Sequence, residues 1–252
     1  MARYLIGLYP YKIQTNQVLT EAHILKRKTF CAELMTGITK QSLVTNKIWF
    51  SDEAHFWLSG YVNKQNYRYW GTTNPYISIS KPLHPQRVTV WAALCSTGIH
   101  YHFIEGNVNG AVYDDLLRTK FFPKIKSQRK VEKYWFMQDG ATPHRTHQVF
   151  ETLFGTFGVR VLGLNYQKFA REGLEWPPNS PDLNPLDFFL WGFLKDQGYR
   201  CNPKTIAELK TAITTIMNAI KPDMLKRVCD NFVKRIDYCQ QSDGSHFENI
   251  YM

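Results

Sequence analysis

The sequence predicts an α/β fold: a mixed sheet flanked by helices, entered through an N-terminal linker segment. Three observations carry this. Runs of aromatic and β-branched residues at 47–50, 88–94 and 134–138 read as buried strands. Helical periodicity takes over after Asp187. Strand-type runs come first in the chain and then alternate with helices, the order expected of a sheet covered by helices.

Residues 1–16, with Gly7-Leu-Tyr-Pro-Tyr-Lys-Ile-Gln14, read as an extended tether. Residues 17–45 read as a linker helix with Val18, Leu19, Ile24, Leu25, Leu34 and Met35 as its apolar positions. Residues 1–45 are therefore expected to form a linker and 46–252 a single domain. A strand meander follows over 47–105. In it Ile48-Trp-Phe50 leads to Asp52, and Phe56, Trp57, Tyr61, Tyr67, Tyr69 and Trp70 gather around the turn formers Gly60 and Asn63. Residues 88–94 and 99–104 read as two further strands. Residues 111–126 suit an amphipathic helix with Val112, Leu116, Leu117 and Phe121 inward, leaving Asp114 and Asp115 on its solvated face. Next come a strand leading to Asp139, a helix over 145–157, a short strand at 159–162 and a loop over 163–176. A helix runs from Asp187 to about Gln197, and two more fill 204–240, broken near Lys221-Pro222.

At 252 residues the chain can bury a sizeable core, and 44% hydrophobic with 15% aromatic residues argues against disorder. The formal charge of +10 favours a polyanionic partner, because Lys and Arg release counterions when they neutralise phosphates. A merely basic enzyme is the alternative on charge alone. The five cysteines form no C-x-x-C pair, which argues against a zinc site and for reduced thiols of the cytosol or nucleus. No apolar run reaches the length of a membrane span, and the start is too short and polar for a secretory signal. Lys26-Arg-Lys28 is a candidate import signal, although so short a cluster is more often a solvated helix face.

Three aspartates stand where a metal could be held. Asp52 lies in Lys47-Ile-Trp-Phe-Ser-Asp-Glu-Ala-His55 and Asp139 in Tyr134-Trp-Phe-Met-Gln-Asp-Gly140, each at the expected carboxyl end of a strand. Asp187 follows the proline-rich loop Trp176-Pro-Pro-Asn-Ser-Pro-Asp-Leu-Asn-Pro-Leu and opens an apolar helix. Hard oxygen ligands suit Mg²⁺, and two such ions can drive in-line displacement at a phosphodiester. Taken singly, each acid also has a bland reading: a turn cap for Asp52, an Asp-Gly turn for Asp139, and a helix-dipole partner for Asp187. Asp182 competes for the third position, while Glu53 is expected to point away from Asp52 on the opposite face of its strand. His55 and His144 are candidate accessory groups that contact a phosphate or orient a water, with a hydrogen-bonding scaffold as the alternative. Arg118, Lys120, Lys124, Lys126, Arg129, Lys130 and Lys133 form a dense basic cluster expected to contact the DNA backbone. A second group, Lys226, Arg227, Lys234 and Arg235, is interleaved with acids and reads as a solvated, salt-bridged helix. Tyr67-Arg-Tyr-Trp70 could stack on unpaired bases or belong to the core.

Four segments in this order carry a resemblance: Phe50-Ser-Asp-Glu-Ala-His-Phe56, Val88-Thr-Val-Trp-Ala92, Gln138-Asp-Gly-Ala-Thr-Pro-His144 and Asn179-Ser-Pro-Asp-Leu-Asn-Pro-Leu-Asp187. Over residues 47–240 the chain resembles the catalytic domain of mariner-type DNA transposases of the DDE/DDD superfamily. The resemblance implies an RNase H-like fold and cut-and-paste strand transfer with two divalent ions, Mg²⁺ or Mn²⁺. It implies Asp52, Asp139 and Asp187 as the catalytic and metal-binding acids, with Asp52 bridging both ions and Asp187 preferred to Asp182. It further implies double-stranded DNA as partner (transposon ends and target), a nuclear location and no membrane, with a homodimer as the candidate assembly. Two departures stand out. Residues 140–186, 47 positions, separate the second and third acids, longer than is common in the family, with the extra length in 155–176. The paired helix-turn-helix region that precedes the family's catalytic domain is not recognisable in residues 1–45, so weak sequence preference is expected. Three readings remain open on the sequence: a transposase catalytic domain, a truncated or host-adopted non-catalytic nucleic-acid-binding module, and an RNase H-like nuclease.

Overall fold

Strands whose two faces are both covered should send alternate side chains into two different cores, and the strands here do so. The computed structural model describes residues 17–60, 72–74, 76, 86–126 and 131–251. Its sheet has five strands: β1 (Ile48–Trp57), β2 (Arg87–Cys95), β3 (Gly98–Ile104), β4 (Trp135–Met137) and β5 (Val161–Leu162). The spatial order is β3-β2-β1-β4-β5. The β1–β2 and β2–β3 pairs are antiparallel, while β1–β4 and β4–β5 are parallel. Ile48, Phe50, Val90, Ala92, Leu94, Met137 and Leu162 enter one core. Trp49, Trp91, Ala93, Cys95, Phe136 and Val161 enter the other.

The second core is closed by α2 (Gly110–Leu116), a π turn at Leu117–Phe121, α3 (Phe122–Lys126) and α4 (His147–Phe157). The first core is closed by α1 (Glu21–Thr39), α6 (Trp191–Gly198), α7 (Ile206–Ala219) and α8 (Pro222–Gln241). Local chemistry sets several boundaries. Asn109 accepts from Val112 N at 3.0 Å and starts α2; Thr205 accepts from Glu208 N at 3.1 Å and starts α7. Pro222 sits in the first turn of α8, where its missing N–H costs nothing, so the break near Lys221-Pro222 falls where the sequence expects it.

The inward face of the first helix differs from the expected one. Val18 and Leu25 are exposed; Leu34 is buried as expected, and Arg27, Phe30 and Cys31 complete the inward face. An arginine in the apolar stripe hid the periodicity. Arg27 is 0% exposed and donates from Nη1 and Nη2 to the two carboxylate oxygens of Asp182 at 2.7 and 2.6 Å. Its Nη1 also reaches Ser180 Oγ at 2.9 Å and its Nε reaches the Gly244 carbonyl at 2.8 Å. The helix is thus fastened into the domain rather than merely leading to it.

Three other expectations change. Asp114 is buried and accepts from Gln148 Nε2 at 2.8 Å, while Asp115 is exposed as expected. Arg235 is buried, donating to the Asp182 carbonyl and Glu248, although Lys226, Arg227 and Lys234 on the same helix are exposed. The 163–176 loop contains α5 (Tyr166–Ala170) and a parallel bridge from Leu162 to Leu174 that covers the β5 edge. The 1–16 tether, Tyr61, Asn63, Tyr67, Tyr69, Trp70, Arg129 and Lys130 lie outside the described residues. Among the described residues, no helix is long and apolar enough to cross a membrane.

Candidate active site

The site arises where β4 stops and its neighbour does not. In the parallel β1–β4 pair Phe50 lies opposite Met137, the last residue of β4. Continuing that register by two places sets Asp52 opposite Asp139. β1 itself runs on to Trp57, paired with β2 on its other side. Asp52 is therefore inside its strand and not at its carboxyl end, but its β4-side edge is open. Crevices at the ends of parallel strands are the usual place for ligands in α/β sheets.

A cavity of about 380 Å³ fills the opening, lined by Asp52, Glu53, Asp139 and Asp187 together with Gly140, Leu164, Trp176 and the 177–181 loop. Asp187 follows Pro185-Leu186 at the start of a helical segment, Leu186–Leu190, that continues into α6. The sequence's third acid is thus brought to the other two. Asp182 lies in the same loop, but its carboxylate is turned inward onto Arg27 and is absent from the cavity lining.

Each of the three aspartates has one oxygen held. Asp52 Oδ2 accepts from Trp191 Nε1 at 2.8 Å. Asp139 Oδ1 accepts from Ala141 N at 2.9 Å and meets His144 Nδ1 at 2.6 Å. Asp187 Oδ2 accepts from Asn184 Nδ2 at 3.1 Å, and Asn184 Oδ1 in turn accepts from Leu186 N at 3.2 Å. Among the described residues the second oxygen of each takes no hydrogen bond.

His144 is buried and grips two acids at once, since its Nε2 also lies 3.2 Å from Glu53 Oε1. Tyr113 lies against its ring, centroids 4.1 Å apart. Gln138 Nε2 donates to the His144 carbonyl at 2.8 Å and Gln138 Oε1 accepts from Tyr113 Oη at 3.1 Å, fixing the turn. Glu53 does leave the opposite face of β1 from Asp52, as alternation requires. The open edge nevertheless lets it line the same cavity, so its expected exclusion was wrong. Its nearness to Asp52 was the only signal in the sequence.

The acids repel one another. Burial pushes the Asp52 carboxyl well above the usual range, and the charges of Asp187, Glu53 and Asp139 add to it. Burial raises Asp187 to about 6, opposed by its Asn184 bond and reinforced by the Asp139 charge. Burial also works against ionised Asp139, but the bond and charge of His144 prevail and lower it. Burial would neutralise His144, yet the carboxylates of Glu53 and Asp139 hold it up at about 10, so both ring nitrogens donate at neutral pH. Three carboxylates sharing one cavity, each with an oxygen to spare, are a donor set that fits hard divalent cations. Among the described residues no group of three Asp, Glu, His or Cys side chains already stands around a single point as a finished cage.

The other candidates do not line the acid cavity. His55 is exposed, bonds Thr89 Oγ1 at 3.0 Å and is absent from the acid cavity, but it lines a neighbouring cavity together with Glu53, Asp187, Trp191 and Lys195. Arg118, Lys120, Lys124, Lys126 and Lys133 are exposed, and none lines the acid cavity. Lys124 lies near His100 and His102 of the β3 edge and Lys120 near His102; after burial, these charges help to depress the imidazoles.

No family model matches the chain. The Tc3 transposase of Caenorhabditis elegans is 26% identical over 239 residues, which cover 93% of this chain and 66% of that protein. The chain thus spans about two thirds of the length of this curated relative. The fold matches a Mos1 transposase paired-end complex with left transposon end at TM-score 0.77 and 19% identity, covering 98% of this chain and 69% of that one. It matches the Mos1 mariner transposase catalytic domain at TM-score 0.62 and 20% identity, covering 93% of this chain and all (100%) of that one. The chain is homologous to the Tc3 transposase and has the RNase H-like fold of the Mos1 catalytic domain.

Proposed function

We propose that this homologue of Tc3 transposase is a mariner-type transposase catalytic domain that cleaves and rejoins DNA phosphodiesters at Asp52, Asp139 and Asp187. One observation carries the reading: Asp52 and Asp139 extend the register of two neighbouring parallel strands, and Asp187 closes the same cavity. Mos1 structures with Mn and with Mg support a divalent ion here, and we assign two, held by the spare oxygens of the three aspartates. Such ions, when bound, activate the attacking oxygen and stabilise the leaving one.

The chain's own residues do the positioning. Trp191 fixes the carboxylate plane of Asp52, Asn184 that of Asp187, and protonated His144 that of Asp139. His144 also keeps Asp139 ionised and available. Glu53 holds the positive charge on His144 from the other side. Aspartates locked by such supporting bonds meet a ligand with little reorganisation. Under this reading residues 46–252 form the catalytic domain, and α1 packs against it. The DNA partners are transposon ends and target, engaged by a homodimer in the nucleus; the Mos1 paired-end and strand-transfer complexes support the DNA.

Nicking of a supercoiled plasmid in Mg²⁺ or Mn²⁺ tests the proposal. Wild type should nick, and Asp52→Asn, Asp139→Asn and Asp187→Asn should each abolish nicking while retaining the folded circular-dichroism spectrum. Retained nicking in Asp187→Asn with loss in Asp182→Asn would reassign the third acid.

A further inference from the structure

We propose that the groove between α1 and the 165–177 segment is a second DNA-binding site, carrying the phosphate backbone of the strand that enters the acid cavity. This rests on the transposase reading and adds to it the path of the substrate. The groove, about 700 Å³, is larger than the acid cavity and adjoins it, since Trp176 and Pro177 line both. A strand with a phosphate at the aspartates has this groove as its way out.

The lining has the chemistry of a backbone track. Lys26 enters from α1, Lys168 from α5 and Arg171 from the cap of α5, and all three are exposed. Among the described residues none of the three forms an ion pair. That contrasts with Arg27, Arg200 and Arg235, each already matched to an acid. Glu33 and Glu175 also face the groove, but Glu175 is taken up by the Asn165 N–H at 2.8 Å. The floor is apolar: Phe30 and Trp176 meet edge to face with centroids 5.2 Å apart, and Leu25 stands at the rim, 64% exposed. Cations beside an apolar floor suit alternating phosphates and sugars or bases.

Arg171 adds an independent sign. It caps α5 with φ +66°, a left-handed conformation in which glycine would be unstrained. An arginine held in that conformation, without an acid partner, points to a role for the charge.

The test is equilibrium binding of a fluorescently labelled duplex, with Ca²⁺ in place of Mg²⁺, over a range of salt concentrations. The variant Lys26→Gln/Lys168→Gln/Arg171→Gln should bind at least roughly tenfold more weakly. Its slope of log K against log salt should be shallower by about 2–3, near 0.9 for each lost phosphate contact. Arg171→Gly separates binding from folding: it should melt at or above the wild-type temperature yet bind DNA more weakly. If wild type binds and both groove variants match its affinity and slope, the groove is not the track, and the transposase reading stands. If wild type binds no duplex at all, both readings fall.

Discussion

Replacing Arg27 by methionine should destabilise the protein far more than an ordinary substitution on a helix. The guanidinium is fully enclosed and makes four bonds of 2.6–2.9 Å, to both Asp182 oxygens, Ser180 and the Gly244 carbonyl. Methionine fills much of the space but leaves the Asp182 carboxylate buried without its partner. Removing one member of a buried pair costs about 3–5 kcal/mol, because the survivor keeps its desolvation penalty. For a domain of this size each kcal/mol moves Tm by about 2–4 °C, so Tm should fall by roughly 6–20 °C. Circular-dichroism melts at low and high salt provide the assay, and a buried pair should make the loss nearly independent of salt. The double variant Arg27→Met/Asp182→Leu should recover much of the loss, since an apolar pair leaves no stranded charge. A melt of Arg27→Met within about 2 °C of wild type would refute the reasoning, as a shift that small is under 1 kcal/mol.

Other outcomes follow from the site and its supports. In metal-free protein Asp187 and Asp52 bind protons more tightly folded than unfolded, so both contribute most stability at acid pH and less as pH rises; for Asp187 the loss comes as pH passes about 6. Added Mg²⁺ or Mn²⁺ should therefore raise Tm more at pH 8 than at pH 5, and Asp187→Asn should shrink that difference; an equal rise at both pH values would contradict the assignment. His144 has the same sign at higher pH: its contribution is complete below about 6.5 and lost as pH climbs through about 10, so His144→Gln should lower Tm at pH 7 and matter less above pH 10. Trp191→Phe keeps the ring but removes the 2.8 Å bond to Asp52, and should weaken Mn²⁺ binding or nicking by about 10- to 100-fold with little change in Tm. Neutralising Lys124, Lys126, Arg129 and Lys130 together should lower affinity for all duplexes alike; an effect confined to one sequence would mean that these residues read bases.

The sequence made the strands and the aspartates legible because both depend on local patterns. Ile48-Trp-Phe50 and Trp135-Phe-Met137 alternate between two cores, and period-2 alternation of large side chains is visible without coordinates. The inward faces of α1, α2 and α8 were less legible because buried polar groups interrupt their stripes. Arg27, Asp114 and Arg235 are each enclosed, and each is bonded by a residue of another element: Asp182, Gln148 and Glu248 with the Asp182 carbonyl. Sequence periodicity treats such residues as solvated, since their partners come from elements it cannot pair. Glu53 escaped for a different reason. Alternation correctly put it on the far face, but a face stops separating side chains where the neighbouring strand ends, and β4 ends at Met137.

The same buried charges explain how a loop rich in proline can hold an acid in place. Asp182 is bound through its carboxylate by Arg27 of α1 and through its carbonyl by Arg235 of α8. Arg235 also lies over the Phe188 ring, 4.1 Å from its centroid, one residue beyond Asp187. The segment from Ser180 to Phe188 is thus gripped from both ends of the chain, and Asn184, between the grips, orients Asp187. Hydrogen bonds that cross from distant helices cost desolvation that an apolar contact would avoid. What they add is direction: a guanidinium fork fixes the carboxylate plane that an apolar contact would leave free to slide. The fork acts on Asp182 and so fixes the loop that carries Asn184 and Asp187; on the proposed reading, that is what sets Asp187 toward Asp52 and Asp139 across the open strand edge.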